Sequence, residues 1–170
     1  MKLNPSPRRG VAVPEADGLI LERFLPYRLS TLTLRISNAI ARSYERRFNL
    51  SVPEWRVMAV LGRFGPLSAN GVGEKTQMDK VRVSRAVARL LTANRITRRT
   101  DTEDRRRAIL DLTPKGRADY EQIVPMVLAV ESELLSELDG AERVTLERIM
   151  RKLEARTAAD FAGAIEDVDG

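Results

Sequence analysis

One stretch, RITRRTDTEDRRRAILDLTP at residues 95–114, breaks the pattern of the rest of the chain. Its apolar residues alternate two by two: Ala108, Leu110 and Leu112 lie on one side, and Ile109 and Asp111 on the other. That is the period of a strand, not a helix. RITRRT and RAILDLT therefore read as two short strands, and the charged run between them as the loop of a β-hairpin. Any fold for this chain must carry a hairpin with Asp104, Arg105, Arg106 and Arg107 at its tip.

Everything around the hairpin has helical spacing. Leu25, Leu29, Leu32, Ile36 and Ile40 recur at intervals of three and four, and Pro26 restricts the regular helix to a start near that point. In NLSVPEWRVMAVLGRFGPLS, Ser51 is an N-cap, Pro53 fits the first turn, and Gly65-Pro66 stops the second helix. Ser68 caps a short third helix through about Lys75, in which Gly71 and Gly73 predict close helix packing or irregularity. Asp79 caps a fourth whose Val83, Val87, Leu90 and Leu91 face inward, and Asn94 suits the left-handed position after its end. Thr113-Pro114 starts a long helix that reads through to Leu138. Asp139-Gly140 breaks it before a last helix with Leu146, Ile149, Met150 and Leu153.

The fold class is thus mainly α with a small β-hairpin. We expect a tail at residues 1–18, a winged helix-turn-helix unit at 50–113, a helical dimerisation region at 19–49 and 114–160, and a second tail at 161–170. The dimerisation region follows from excess: helices 19–48, 115–138 and 141–160 carry more apolar stripe than the small unit between them can cover. Symmetric pairing with a second copy buries that stripe. The alternative is a monomer in which these helices fold back.

Composition narrows the chemistry. The chain has no cysteine and no histidine, which excludes disulfides, thiol sensing, zinc fingers and imidazole catalysis. We expect no enzyme, no metal and no cofactor. No apolar run approaches a membrane span, and the first residues lack the apolar segment of a secretory signal; a cytoplasmic protein is the expectation. The net charge of +5 is unevenly spread. Residues 1–49 and 50–113 are basic, with balances of +5 and +6, whereas 114–170 stand at −6. Eight aromatics are too few for a platform that stacks single-stranded bases.

The basic excess coincides with the helix pair and hairpin. In a winged helix the second helix of the pair enters the major groove of a duplex. Lys80, Arg82, Ser84, Arg85 and Arg89 on the fourth helix are residue types that reach guanine edges and phosphates there. The hairpin tip would lie over the adjacent minor groove, whose narrow A·T-rich form attracts arginine. The competing reading makes both features solvated surface, or makes the winged helix a protein–protein module. So many arginines are hard to desolvate in a protein interface without acids opposite.

PYRLSTLTLRISNAIARSYERRFNLSVPEWRVMAVLGRFGPLS, DKVRVSRAVARLL and DTEDRRRAILDLTPKG resemble the multiple antibiotic resistance regulator (MarR) family over about residues 22–155. The most specific part is Asp-x-x-Asp-Arg-Arg followed by Leu-x-Leu-Thr-x-x-Gly. The resemblance implies a homodimer with interlocking first and last helices, bound to the two half-sites of a palindromic operator. It further implies repression relieved by a small, often aromatic or phenolic, effector. It places recognition contacts on Lys80, Arg82, Ser84 and Arg85, and the minor-groove arginine on Arg106, braced by Asp104. For the effector, Trp55 and Arg56, with Ser37 and Asn38 of the first helix, offer an aromatic wall, a cation and hydrogen bonds to an aromatic carboxylate. The alternative is that Trp55 is plain core and Arg56 a surface or ion-pair residue.

Overall fold

The structure, a computed structural model, describes residues 18–100 and 108–158. They form six helices and three strands: α1 (Leu25–Phe48), α2 (Val52–Phe64), β1 (Leu67–Ser68), α3 (Ala69–Thr76), α4 (Lys80–Thr92), β2 (Ile96–Thr100), β3 (Ala108–Leu112), α5 (Pro114–Leu134) and α6 (Gly140–Ala158). The chain divides into two compact units, 1–38 and 39–170, with the boundary inside α1. In the first unit, Leu29, Leu32 and Leu34 on α1 are all exposed.

In the second unit the hydrophobic core joins the last turns of α1 to α2, α3, α4, the sheet and α5. Val57, Met58, Leu61, Val72 and Ile123 are fully buried within it. The helix boundaries follow local chemistry. The Ser51 N–H donates to Glu54 Oε2 at 2.7 Å, the return half of a capping box, and the proline of α2 sits in its first turn. Gly65, at φ 81°, ends α2 in a conformation that glycine adopts without steric penalty. Ser68 caps α3 through its Oγ, which accepts from the Gly71 N–H at 3.1 Å. α3 runs to Thr76, close to the expected end, and of the two readings of Gly71 and Gly73 irregularity is not seen: the helix is continuous through both. Asn94 takes the left-handed conformation at φ 54°, as its place after α4 predicts.

The sheet has the order β1-β3-β2 and is antiparallel throughout. Five residue pairs, from Ile96↔Leu112 to Thr100↔Ala108, make the hairpin. β1 adds a two-residue rung, Leu67↔Leu110 and Ser68↔Ile109, that sequence periodicity does not reveal. It ties the turn between α2 and α3 to the hairpin.

Thr113 starts α5. Its Oγ1 accepts from the Gly116 N–H at 3.0 Å and donates to the Asn94 carbonyl at 2.8 Å. Gly116 lies so close to the Arg95 carbonyl oxygen that a Cβ there would stand 1.9 Å from it. α5 closes at Leu134 rather than the expected Leu138; the connecting turn already begins at Leu135. Asp139 and Glu142 then form a reciprocal cap at α6, with N–H to carboxylate distances of 2.9 and 2.8 Å. On α6 every described side chain except Leu153 is exposed, including Val144, Leu146, Ile149 and Met150.

Candidate nucleic-acid interface

α4 buries Val83, Ala86, Val87 and Leu90 and exposes Lys80, Val81, Arg82, Ser84, Arg85 and Arg89. One row packs on α2 and α3, and the opposite face is left to carry charge. Asp79 sets the start of that face. Its Oδ1 accepts from the Arg82 N–H at 2.8 Å, and its Oδ2 stands 3.2 Å from Arg82 Nε. The guanidinium of Arg82 is therefore pulled back toward the cap while still largely open to solvent.

Arg89 is held from another direction. Its Nη1 lies 3.5 Å from Glu54 Oε1, and the Glu54 side chain is only 7% exposed. Glu54 thus serves two helices: one oxygen receives the Ser51 N–H at the start of α2, and the other faces the guanidinium on α4. A carboxylate at a helix N-terminus is also favoured by the helix dipole. Residue type places Arg89 with the outward arginines and gives Glu54 no role; a pair 35 positions apart has no signature in local spacing. Among the described residues, Lys80 and Arg85 have no carboxylate at ion-pair distance.

A cavity of about 520 Å³ separates α3 and α4 from the hairpin, with Lys80, Ser84 and Arg98 on its walls. Arg98 lies on β2, exposed and paired in register with Leu110. It adds to the groove a cation whose place in the sequence marks it only as part of a strand. Asp104, Arg105, Arg106 and Arg107 fall outside the described residues.

Arg95 anchors the far end of α4. Its Nε stands 2.7 Å from Asp119 Oδ2 on α5, and its Nη2 donates to the Phe48 carbonyl at the end of α1. Both partners of the ion pair are mostly buried. Lys115 Nζ donates to the Ala93 carbonyl at 2.9 Å, and the Thr113 N–H to the Arg95 carbonyl at 3.0 Å. The end of α4 and the start of α5 are thereby joined by several bonds within a few residues.

The expected effector residues fall in different units: Ser37 and Asn38 in the first, Trp55 and Arg56 in the second. Trp55 is 8% exposed, with its ring centroid 5.5 Å from that of Tyr44 and 6.0 Å from that of Tyr120. The Tyr44 hydroxyl is buried and has no hydrogen-bond partner among the described residues. Burial pushes its pKa up to about 12; the nearby Glu45 and Glu54 act in the same direction, and Arg56 opposes them. Among the described residues no group of His, Cys, Asp and Glu could hold a metal ion, and no helix is long and apolar enough to cross a membrane.

A helix pair whose second member turns a cationic face outward, followed by an antiparallel hairpin, is a winged-helix DNA-binding unit. Comparison with known proteins agrees. Residues 48–107 match the model of the MarR family. A helix-turn-helix-type transcriptional regulator of Bacillus cereus is 26% identical over 118 residues, 69% of this chain and 78% of that protein. A MarR/EmrR-family regulator from Acinetobacter sp. ADP1 superposes with a TM-score of 0.76 at 25% identity, covering 84% of this chain and all of that one. BpsR of Bordetella bronchiseptica, whose DNA binding is regulated by 6-hydroxynicotinic acid, superposes at 0.71 with 24% identity, over 81% and 97% of the two chains. The winged-helix segment thus matches the MarR family of transcriptional regulators, and the chain shares the fold of solved MarR-family regulators.

Proposed function

We propose that the protein is a repressor that binds a palindromic operator as a homodimer and is released by a small aromatic acid. The observation that carries the DNA part is the division of α4 into a buried apolar row and an exposed face with Lys80, Arg82, Ser84 and Arg85. These four are assigned to the major groove. Arg89, paired with Glu54, is assigned a phosphate rather than a base, because an ion pair to a second helix fixes its position. Arg105, Arg106 and Arg107 are assigned to the minor groove, with Asp104 bracing Arg106. The exposed leucines of α1 and the exposed apolar residues of α6 support association with a second copy.

The effector reading rests on the second unit. The buried Tyr44 hydroxyl beside Trp55 lacks an acceptor or donor, and Arg56 supplies positive charge near it. An aromatic acid, the class to which the regulator of BpsR belongs, offers a ring, a carboxylate and a hydrogen-bonding group to such a set.

Titration of a palindromic duplex against salt tests the DNA part. If about six phosphates are engaged, affinity falls roughly 10³-fold between 50 and 200 mM salt. Arg85→Ala lowers affinity by about 1–3 kcal/mol and relaxes preference at one operator position. Arg106→Ala removes a preference for A·T-rich flanks while leaving the fold intact. Salt-independent binding, with no effect of either substitution, identifies a protein–protein module instead.

A further inference from the structure

Within the described part of the winged helix, residues 50–100 and 108–112, two large apolar side chains are exposed: Phe64 and Val81. Phe64 is accounted for. The ammonium of Lys75 stands 4.1 Å from its ring centroid and the guanidinium of Arg63 5.6 Å, so cations occupy its surroundings. Val81 has no such cover and is 58% exposed.

Its position in α4 is specific. At about 100° per residue, Val81, Arg85 and Ala88 fall within roughly 60° of one another. They occupy the middle of the face opposite the buried row Val83, Ala86, Val87 and Leu90. Arg82, drawn toward Asp79, and Arg89, drawn toward Glu54, both lie along one side of this strip. Val81 is also the second residue of α4, in the N-terminal turns that meet base edges when such a helix enters the major groove.

A valine there serves neither packing nor helix formation, since it lies away from the core and β-branching lowers helix propensity. It also lacks donors and acceptors for phosphate or base edges. The major groove presents one apolar group, the 5-methyl of thymine, and small apolar side chains discriminate bases through it. We infer that Val81 is a specificity-determining residue that packs against the 5-methyl group of a thymine in each operator half-site. Ser84 and Arg85, three and four residues on, flank it on the same face, so the methyl contact and the polar contacts fall on neighbouring bases.

This inference rests on α4 being the DNA-reading helix, and the test separates the two. Full-length protein is used to select its preferred duplex from a randomised pool, and each thymine of that duplex is then replaced singly by deoxyuridine, which lacks only the methyl. The expected result is one position per half-site where the replacement weakens binding about four-fold, the factor for burying one methyl group. In Val81→Ala that sensitivity disappears, so that the variant binds the thymine and uracil duplexes with equal affinity. If a sequence is selected but no thymine is methyl-sensitive, or the sensitivity survives in Val81→Ala, the Val81 assignment falls and the reading of α4 stands. If the selection enriches no sequence, the reading of α4 as a base-reading helix falls, and the Val81 assignment with it.

Discussion

The winged-helix segment and α6 both carry apolar stripes in the sequence and have opposite fates in the structure. In the former, Val57, Met58, Leu61 and Val72 are fully buried, and Leu90 and Leu110 are 1% exposed. On α6, Val144 is 71% exposed and Ile149 44%. Periodicity specifies that a face is apolar; it does not specify what covers it. The winged helix covers its own faces because three helices and a sheet converge on one another within about sixty residues, whereas α6 is left with its stripe open. The two regions should therefore fail in different ways when damaged.

The largest expected effect lies on the self-contained side. Gly116→Ala drives a methyl group into the Arg95 backbone carbonyl, which cannot rotate aside. Overpacking against backbone is expected to cost about 3 kcal/mol or more, a drop in Tm of roughly 6–12 °C for a chain of this size. A melt equal to wild type would show that the junction between α4 and α5 is looser than its contacts indicate.

Damage to the exposed stripe of α6 should leave folding alone and remove association. With Leu146→Glu and Ile149→Glu combined, light scattering is expected to report a monomer. Affinity for a two-half-site operator should fall about 10²-fold as the second site loses its tether, with the near-ultraviolet spectrum of Trp55 unchanged. A dimer that survives both substitutions would place the association surface elsewhere than α6.

The smallest effect measures how complete the self-contained packing is. Tyr44→Phe deletes a buried hydroxyl with no partner among the described residues and should stabilise the protein by about 1 kcal/mol at neutral pH. The pH dependence has a definite sign. Because the folded-state pKa is raised from 10.0 to about 12, the contribution of Tyr44 is fully present below pH 10 and is lost as pH rises toward 12. Chemical denaturation of the wild type should lose stability in that window, and the variant should lose less.

Much of this architecture was legible because its signals are local. Ser51, Ser68, Asp79 and Thr113 each begin the helix that their position predicts, and Asn94 adopts the expected left-handed conformation. These residues act on backbone groups three or four positions away, so the sequence itself brings them together. Three features were not legible. β1 has two residues, too few to show an alternation. The closure of α5 at Leu134 is hidden because Leu135 and Leu138 continue the apolar spacing past the last helical residue. The bonds from Glu54 to Arg89 and from Arg95 to Asp119 join distant parts of the chain and depend on how the helices cross. For the interface, residue type and helical face identified the cationic strip, but not that Asp79 and Glu54 restrain two of its arginines.

The bonds at Arg95, Thr113 and Lys115 fasten α4 at its root, the end farthest from Lys80 and Val81. α4 is thus a lever clamped at one end, and the clamp is made largely to α5. Thirteen residues span about 20 Å. A tilt of about 5° imposed through α5 at the clamp would carry the tip of α4 through nearly 2 Å, by the same rise per residue. That distance is most of a hydrogen-bond length at the reading end and almost nothing at the root. An event that reorients α5 slightly would be magnified where the bases would be, provided that α2 and α3, on which Val83, Ala86, Val87 and Leu90 pack, turn with α4 as one body.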